Sequence, residues 1–91
     1  MGAYWAIVNA ELPQPEGLER AVVRQVQAER AARGMSVEQL AKSSGIPYRT
    51  LVRYLSGERS MPLRILGQLA EGLRIAPDVL IVRAWTERRE Q

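Results

Sequence analysis

Residues 36–57 read SVEQLAKSSGIPYRTLVRYLSG, and this stretch decides the fold of the chain. Ser36 can cap the free amides at the start of a helix, and Gln39 lies three residues further on, where it completes a capping box. Gly45 stands where a helix end favours a left-handed residue, and Pro47 suits the start of the next helix. The stretch therefore predicts two short helices joined by a tight turn.

The second of these helices, over residues 47–56, has two unlike faces. Leu51 and Leu55 are spaced i, i+4 and form an apolar face. The opposite face carries an aromatic and two basic side chains, which are Tyr48, Arg49 and Arg53. An apolar inner face and a basic outer face after a glycine-containing turn are typical of a helix-turn-helix that enters a DNA major groove.

Length and composition exclude several classes of protein. The 91 residues are enough for one small domain, and a hydrophobic fraction of 46% is that of a globular chain. No apolar run approaches the roughly 20 residues of a membrane span. The chain has no cysteine and no histidine, so disulfides, thiolate zinc sites and histidine chemistry are excluded. No metal, cofactor or small-molecule ligand is expected.

The positive charge is concentrated in one region. Residues 42–64 carry five basic side chains and a single acid, Glu58, for a net charge of +4 in 23 residues. The whole chain has a net charge of +3, so the other 68 residues sum to −1. A basic patch of this kind favours a polyanionic partner, with an ordinary solvated surface as the alternative.

The rest of the chain predicts three more helices. One covers about 16–33, a second begins at Pro62 with an apolar stripe through Leu73, and the last begins near Pro77 and runs to about Trp85. No strand pattern is present, so the expected fold is a compact all-α domain of five helices. We divide the chain into an N-terminal apolar arm (1–15), a helical domain (16–84) and a charged C-terminal tail (85–91) that we expect to fray.

From about Val22 to Leu80 the chain resembles the Cro/CI-type helix-turn-helix regulators, also called the XRE family. The residues that carry the resemblance are Arg30, Gly34-Met35-Ser36, Gln39-Leu40-Ala41, Gly45-Ile46, Leu51, Arg53, Gly57, Pro62 and Leu69-Ala70 to Leu73. The order and the spacings match without a gap. The resemblance implies a lambda-repressor-like fold and a DNA-binding regulator.

Two positions depart from the family pattern. Many relatives have a glutamate two residues before the loop glycine, paired with the arginine of helix 1, whereas this chain has Leu55 there. Arg30 therefore needs another partner, and we expect Glu29, Glu58 or solvent. Relatives also often begin helix 2 with a glutamine that touches the DNA backbone, whereas this chain has Val37.

Arg49 and Arg53 are the predicted base-reading residues, because they lie one helical turn apart and a guanidinium can bond guanine O6 and N7 together. The alternative is that one of them grips only phosphate. Tyr48 and Val52 are further candidates for base contact, through a thymine methyl, although Tyr48 could equally pack on a neighbour. Predicted contacts to the DNA phosphates are Ser36, Gln39, Thr50, Ser56, Arg59, Ser60 and Arg64, with Ser36 and Gln39 primarily caps. We expect Tyr54 to pack inward with Leu51.

Both ends of the chain are more apolar than free tails should be. The apolar residues are Tyr4, Trp5, Ile7 and Val8 at one end and Ile81, Val82 and Trp85 at the other, and the candidates for a partner surface are Tyr4, Trp5, Ile7 and Trp85. One interpretation is that the two ends pack together and enlarge the core. The other is a partner surface, for a homodimer on a palindromic operator or for a different protein.

The leading functional hypothesis is a sequence-specific transcription regulator, most simply a repressor, of phage or chromosomal origin and located in the cytoplasm. The alternative is the antitoxin of a toxin–antitoxin pair, which binds both its operator and a toxin protein. An enzyme is not expected, because the acidic residues are scattered over helix faces and form no convergent pair.

Overall fold

The computed structural model describes residues 15–90 and the side chains of residues 17–87. Its five helices are α1 (Pro15–Ala32), α2 (Val37–Ser44), α3 (Tyr48–Leu55), α4 (Leu63–Leu73) and α5 (Pro77–Glu90). No strand occurs within 15–90, so the predicted all-α, five-helix class is confirmed. None of these helices combines the length and the apolar character that crossing a membrane requires.

The capped turn between α2 and α3 forms as its sequence predicts. The Ser36 hydroxyl accepts from the Gln39 amide at 3.0 Å, and the Gln39 side-chain oxygen accepts from the Ser36 amide at 2.7 Å. Gly45 then ends α2 with φ 69°, and its amide donates to the carbonyls of Ala41 and Lys42. This reciprocal cap satisfies amides that the start of α2 would otherwise leave open.

One hydrophobic core joins all five helices. Its largest fully buried side chains are Val26, Leu40, Leu51, Leu69, Leu73 and Leu80. Tyr54 is buried in the same core as Leu51, as predicted. Because α2 and α3 each give a leucine to this core, their opposite faces are left to the solvent.

Helix α4 packs closely against α2 and fixes the position of the turn. The side-chain nitrogen of Gln68 donates to the carbonyl oxygen of Ser44 at 3.2 Å, across the end of α2. Gly72 brings the α4 backbone against Ser44, where a side chain would meet the serine directly. The Gln68 hydrogen bond and the close packing at Gly72 together fix the position of α2 and of the start of α3.

Ion pairs tie α5 to α1. The Glu29 carboxylate bridges Arg33, in the turn that follows α1, and Arg83 of α5. The Arg24 Nε lies 2.5 Å from the Glu87 carboxylate. The prediction that the chain frays after Trp85 is wrong for the described residues, because α5 continues to Glu90. The contacts of Glu87 with α1 explain the added helical turn.

Candidate nucleic-acid interface

Helix α3 presents a solvent face that carries the predicted base-reading residues. Leu51 and Tyr54 point into the core, and the intervening positions point outward. Arg49 and Arg53 are both exposed, Tyr48 is 48% exposed and Val52 is 39% exposed. The four side chains therefore lie on one accessible surface, which we call the recognition face.

The cations near the recognition face have no ion-pair partner among the described side chains. All three ion pairs of residues 17–87 involve only α1, the turn that follows it and α5. The basic residues of the 42–64 region take part in none of them; they are Lys42, Arg49, Arg53, Arg59 and Arg64. Their charge is consequently left to act on an external anion.

The loop between α3 and α4 places a second group of polar side chains beside the recognition face. Arg59 and Ser60 are exposed in this loop, and Arg64 is exposed in the first turn of α4, whereas Thr50 on α3 is half-buried. The exposed Ser56 is partly committed, because its hydroxyl donates to the Arg53 carbonyl at 3.1 Å. No described side chain caps the start of α4, and the Ile65 amide donates to the Pro62 carbonyl at 3.0 Å. The amides of Leu63 and Arg64 have no acceptor among the described residues and are left to an anion.

Ser36 and Gln39 occupy the start of α2 and are both exposed. Their hydrogen bonds to each other's backbone are those of the capping box, which uses the serine oxygen and the glutamine oxygen. The glutamine side-chain nitrogen makes no hydrogen bond to a described residue, so it remains able to donate outward. Both residues thus act first as caps, as predicted.

Arg30 has a partner that the sequence did not predict. Its guanidinium donates to the Met35 carbonyl at 2.6 Å and to the Gln27 side chain at 2.8 Å. The expected pairing with Glu29 or Glu58 is wrong, because these bonds go to Met35 and Gln27 and Glu29 pairs with Arg33 and Arg83. The Arg30 side chain therefore stabilises the turn between α1 and α2.

The two departures from the family pattern both have structural roles. Leu55 and Val37 are partly buried and pack against the core. Leu55 also lines a cleft of about 450 Å³ between α1 and the loop after α3. Neither side chain offers a polar group, so neither replaces the contact that its position has in relatives.

Sequence reasoning missed three residues that shape this region. Gln68 and Gly72 of α4 fix the α2–α3 turn, and a polar residue within the apolar stripe of α4 was the available signal for Gln68. Arg20 of α1 lines the same cleft as Arg59 and adds a cation beside the loop. Only the folded chain brings Arg20 there, since 39 residues separate the two arginines.

The predicted partner surface is only partly described. Tyr4, Trp5 and Ile7 lie outside the described residues, and Trp85 is half-buried on α5. Within residues 17–87, no group of three acidic side chains is placed to hold a metal ion.

The chain matches known proteins at the level of family and fold. A family model described as helix-turn-helix matches residues 26–80, which is more than half of the chain. The structure is similar to that of the clp gene regulator ClgR from C. glutamicum, with a TM-score of 0.70 and 18% sequence identity. That similarity covers 84% of this chain and 95% of the ClgR chain. No curated protein sequence matches significantly. With caps, turn and matched segment all in agreement, the chain belongs to the XRE family of helix-turn-helix DNA-binding regulators.

Proposed function

We propose that this protein is a sequence-specific transcription regulator, most simply a repressor, that inserts residues 47–56 into the major groove of its operator. The observation that carries the proposal is the recognition face, where Arg49 and Arg53 are exposed and have no ion-pair partner among the described side chains. A helix held by its core leucines and by a fixed turn presents these groups in one orientation.

Arg49 and Arg53 would read base edges. They are spaced i, i+4, so both project from the same side of α3. Each bidentate contact to a guanine would contribute about 1–3 kcal/mol of discrimination. Tyr48 and Val52 flank them with exposed apolar surface that suits a thymine methyl group.

A second set of residues would position the helix by gripping phosphates. The proposed contacts are Ser36, Gln39, Thr50, Ser56, Arg59, Ser60 and Arg64. Their positions support this assignment, because the start of α2 and the α3–α4 loop lie on either side of α3 in the chain. Contacts of this kind fix register and give the complex its salt dependence.

Selection of bound DNA from a random pool tests the proposal directly. We expect the wild-type protein to enrich one motif. Arg49→Ala and Arg53→Ala should each reduce the base preference at one position of that motif, by about 1–3 kcal/mol. Arg59→Ala should instead weaken binding to all sequences alike and reduce the salt slope by about 1. Arg74→Ala is the matched control, because it makes the same change at an exposed arginine that follows the C-terminus of α4, at the opposite end of that helix from the loop. Unchanged motif choice after loss of both recognition-face arginines would refute the assignment.

The antitoxin alternative requires a protein-binding surface in addition to the DNA-binding one. One observation favours such a surface, because Val82 on α5 is 61% exposed and lies three residues from the half-buried Trp85. Copurification of a small protein from the source cells, lost on Val82→Lys, would support this alternative. A palindromic motif in the selection would instead indicate a homodimer, and a single half-site a monomer.

A further inference from the structure

An apolar groove remains open beside the start of α1. It has a volume of about 160 Å³, and its apolar lining residues are Leu18, Val22, Met61, Leu63, Leu66 and Ile81. Leu63 is 78% exposed, more than any other large hydrophobic side chain of residues 17–87. Leu63, the first residue of α4, therefore packs little against the described part of the chain.

We infer that this groove is the docking site of the chain's own N-terminal segment, Ala3–Val8. The segment reads AYWAIV and contains no charged residue, so water is an unfavourable surrounding for it. The groove offers it six apolar side chains and only one charged residue, Glu19, in its lining. The inference does not depend on DNA binding.

The position of the groove in the chain supports this occupant. Leu18 lies three residues after Pro15, where α1 begins, so the groove starts within one turn of the point at which the segment is attached. Six residues lie between Val8 and Pro15, and the seven Cα–Cα steps that join the two can span up to about 25 Å. An attached segment reaches a nearby site at an effective concentration in the millimolar range.

The size of the groove argues against a second copy as the occupant. A stable interface between two proteins buries roughly 800 Å² on each partner, from about 20 residues or more. Seven residues line this groove. A short apolar segment matches that size better than the surface of a second folded domain.

Engineered cysteine pairs test the inference in the full chain, which has no cysteine of its own. Ala3→Cys or Ala6→Cys, which leave the large apolar side chains of the segment in place, is combined with Leu63→Cys. The matched control combines the same changes with Glu71→Cys, an exposed position two turns further along α4. Under mild oxidation we expect the Leu63 pairs to form an intrachain disulfide at least ten times faster than the control pairs. Equal rates would overturn the inference.

A mixing experiment separates the segment from a second copy. Protein carrying only Ala6→Cys is mixed with protein carrying only Leu63→Cys and oxidised. We expect disulfide-linked dimers to form much more slowly than the intrachain bond. Dimers that form as fast as the intrachain bond would assign the groove to a second copy and refute docking within one chain.

Urea denaturation gives a readout that does not depend on disulfide chemistry. If the segment covers Leu63, Leu63→Ser should lower the denaturation midpoint of the full chain, and the same change should have little effect when Trp5→Ala is already present. If Leu63 remains in water, Leu63→Ser will leave the midpoint unchanged or raise it, and the inference fails.

Discussion

Gly67 and Gly72 both lie on α4, yet replacing each by alanine should change the stability of the protein in opposite directions. A Cβ at Gly67 has no heavy atom within 4 Å. A Cβ at Gly72 would overlap the Ser44 hydroxyl and would lie 3.0 Å from the Ser43 hydroxyl and 3.1 Å from the Ser44 Cα. The first site is open, and the second is the point where α4 touches the α2 backbone.

The expected magnitudes follow from two opposing effects. Alanine in place of glycine favours a helix by up to about 1 kcal/mol, which Gly67→Ala should gain in the free energy of unfolding. Gly72→Ala gains less, since it lies near the helix end, and it overpacks the contact with α2 at a cost of about 1–3 kcal/mol. Gly67→Ala should therefore be more stable than Gly72→Ala by about 1–3 kcal/mol.

Urea denaturation followed by circular dichroism measures both variants against the wild type. A third variant, Ser44→Ala with Gly72→Ala, removes the closest clash and should recover part of the loss, because the buried Ser44 hydroxyl has no hydrogen-bond partner among the described residues. The contact with the Ser44 Cα remains, so recovery should be incomplete. If Gly72→Ala proves as stable as Gly67→Ala, the close packing of α2 on α4 is refuted.

Two further predictions concern the ends of α4 and α5. Arg74 follows α4 with φ 57°, a left-handed conformation that strains a residue with a Cβ, so Arg74→Gly should raise the free energy of unfolding by up to about 1 kcal/mol in urea denaturation. Arg74→Ala keeps the strain and should give no such gain; equal gains would assign the effect to charge. The hydrogen bond from Arg24 holds the pKa of the Glu87 carboxyl below its usual value of 4.5. A lowered pKa in the folded state stabilises the fold above the unfolded-state pKa, so Glu87→Gln should lower the urea midpoint at pH 7. That difference should fade as the pH falls below about 4.5 and through the folded-state pKa, and a difference independent of pH would contradict the assignment.

The predictable part of the fold is the part that short-range sequence signals specify. The capping box of Ser36 and Gln39, the left-handed Gly45 and the apolar stripe of α4 each depend on residues a few positions apart. The inward position of Tyr54 follows from the same periodicity. Local signals of this kind act through backbone conformation and helix geometry, which sequence spacing determines directly.

The unpredicted features all depend on contacts between distant residues. The length of α5 depends on Glu87 meeting Arg24, 63 residues away. Glu29, one of the predicted partners of Arg30, instead forms an ion pair with Arg83 on another helix. The anchoring of the turn by Gln68 likewise needs a residue 24 positions away. Of the candidate site, the exposure of Arg49 and Arg53 was predictable from periodicity, whereas Arg20 joins the loop only through the packing of α1.

The ion-paired charges stabilise the fold of this molecule, whereas the arginines without an ion-pair partner include those that we propose to contact DNA. Acids hold α1 to α5, while the recognition face keeps like charges one helical turn apart, an arrangement that destabilises an isolated helix by about 0.2–0.5 kcal/mol for each pair. A chain optimised for folding alone would place an acid at Arg49 or Arg53. Selection for stability in the absence of DNA should therefore recover such substitutions, and the same substitutions should abolish DNA binding. A polyanion such as heparin should in turn raise the melting temperature of the wild type by relieving that repulsion.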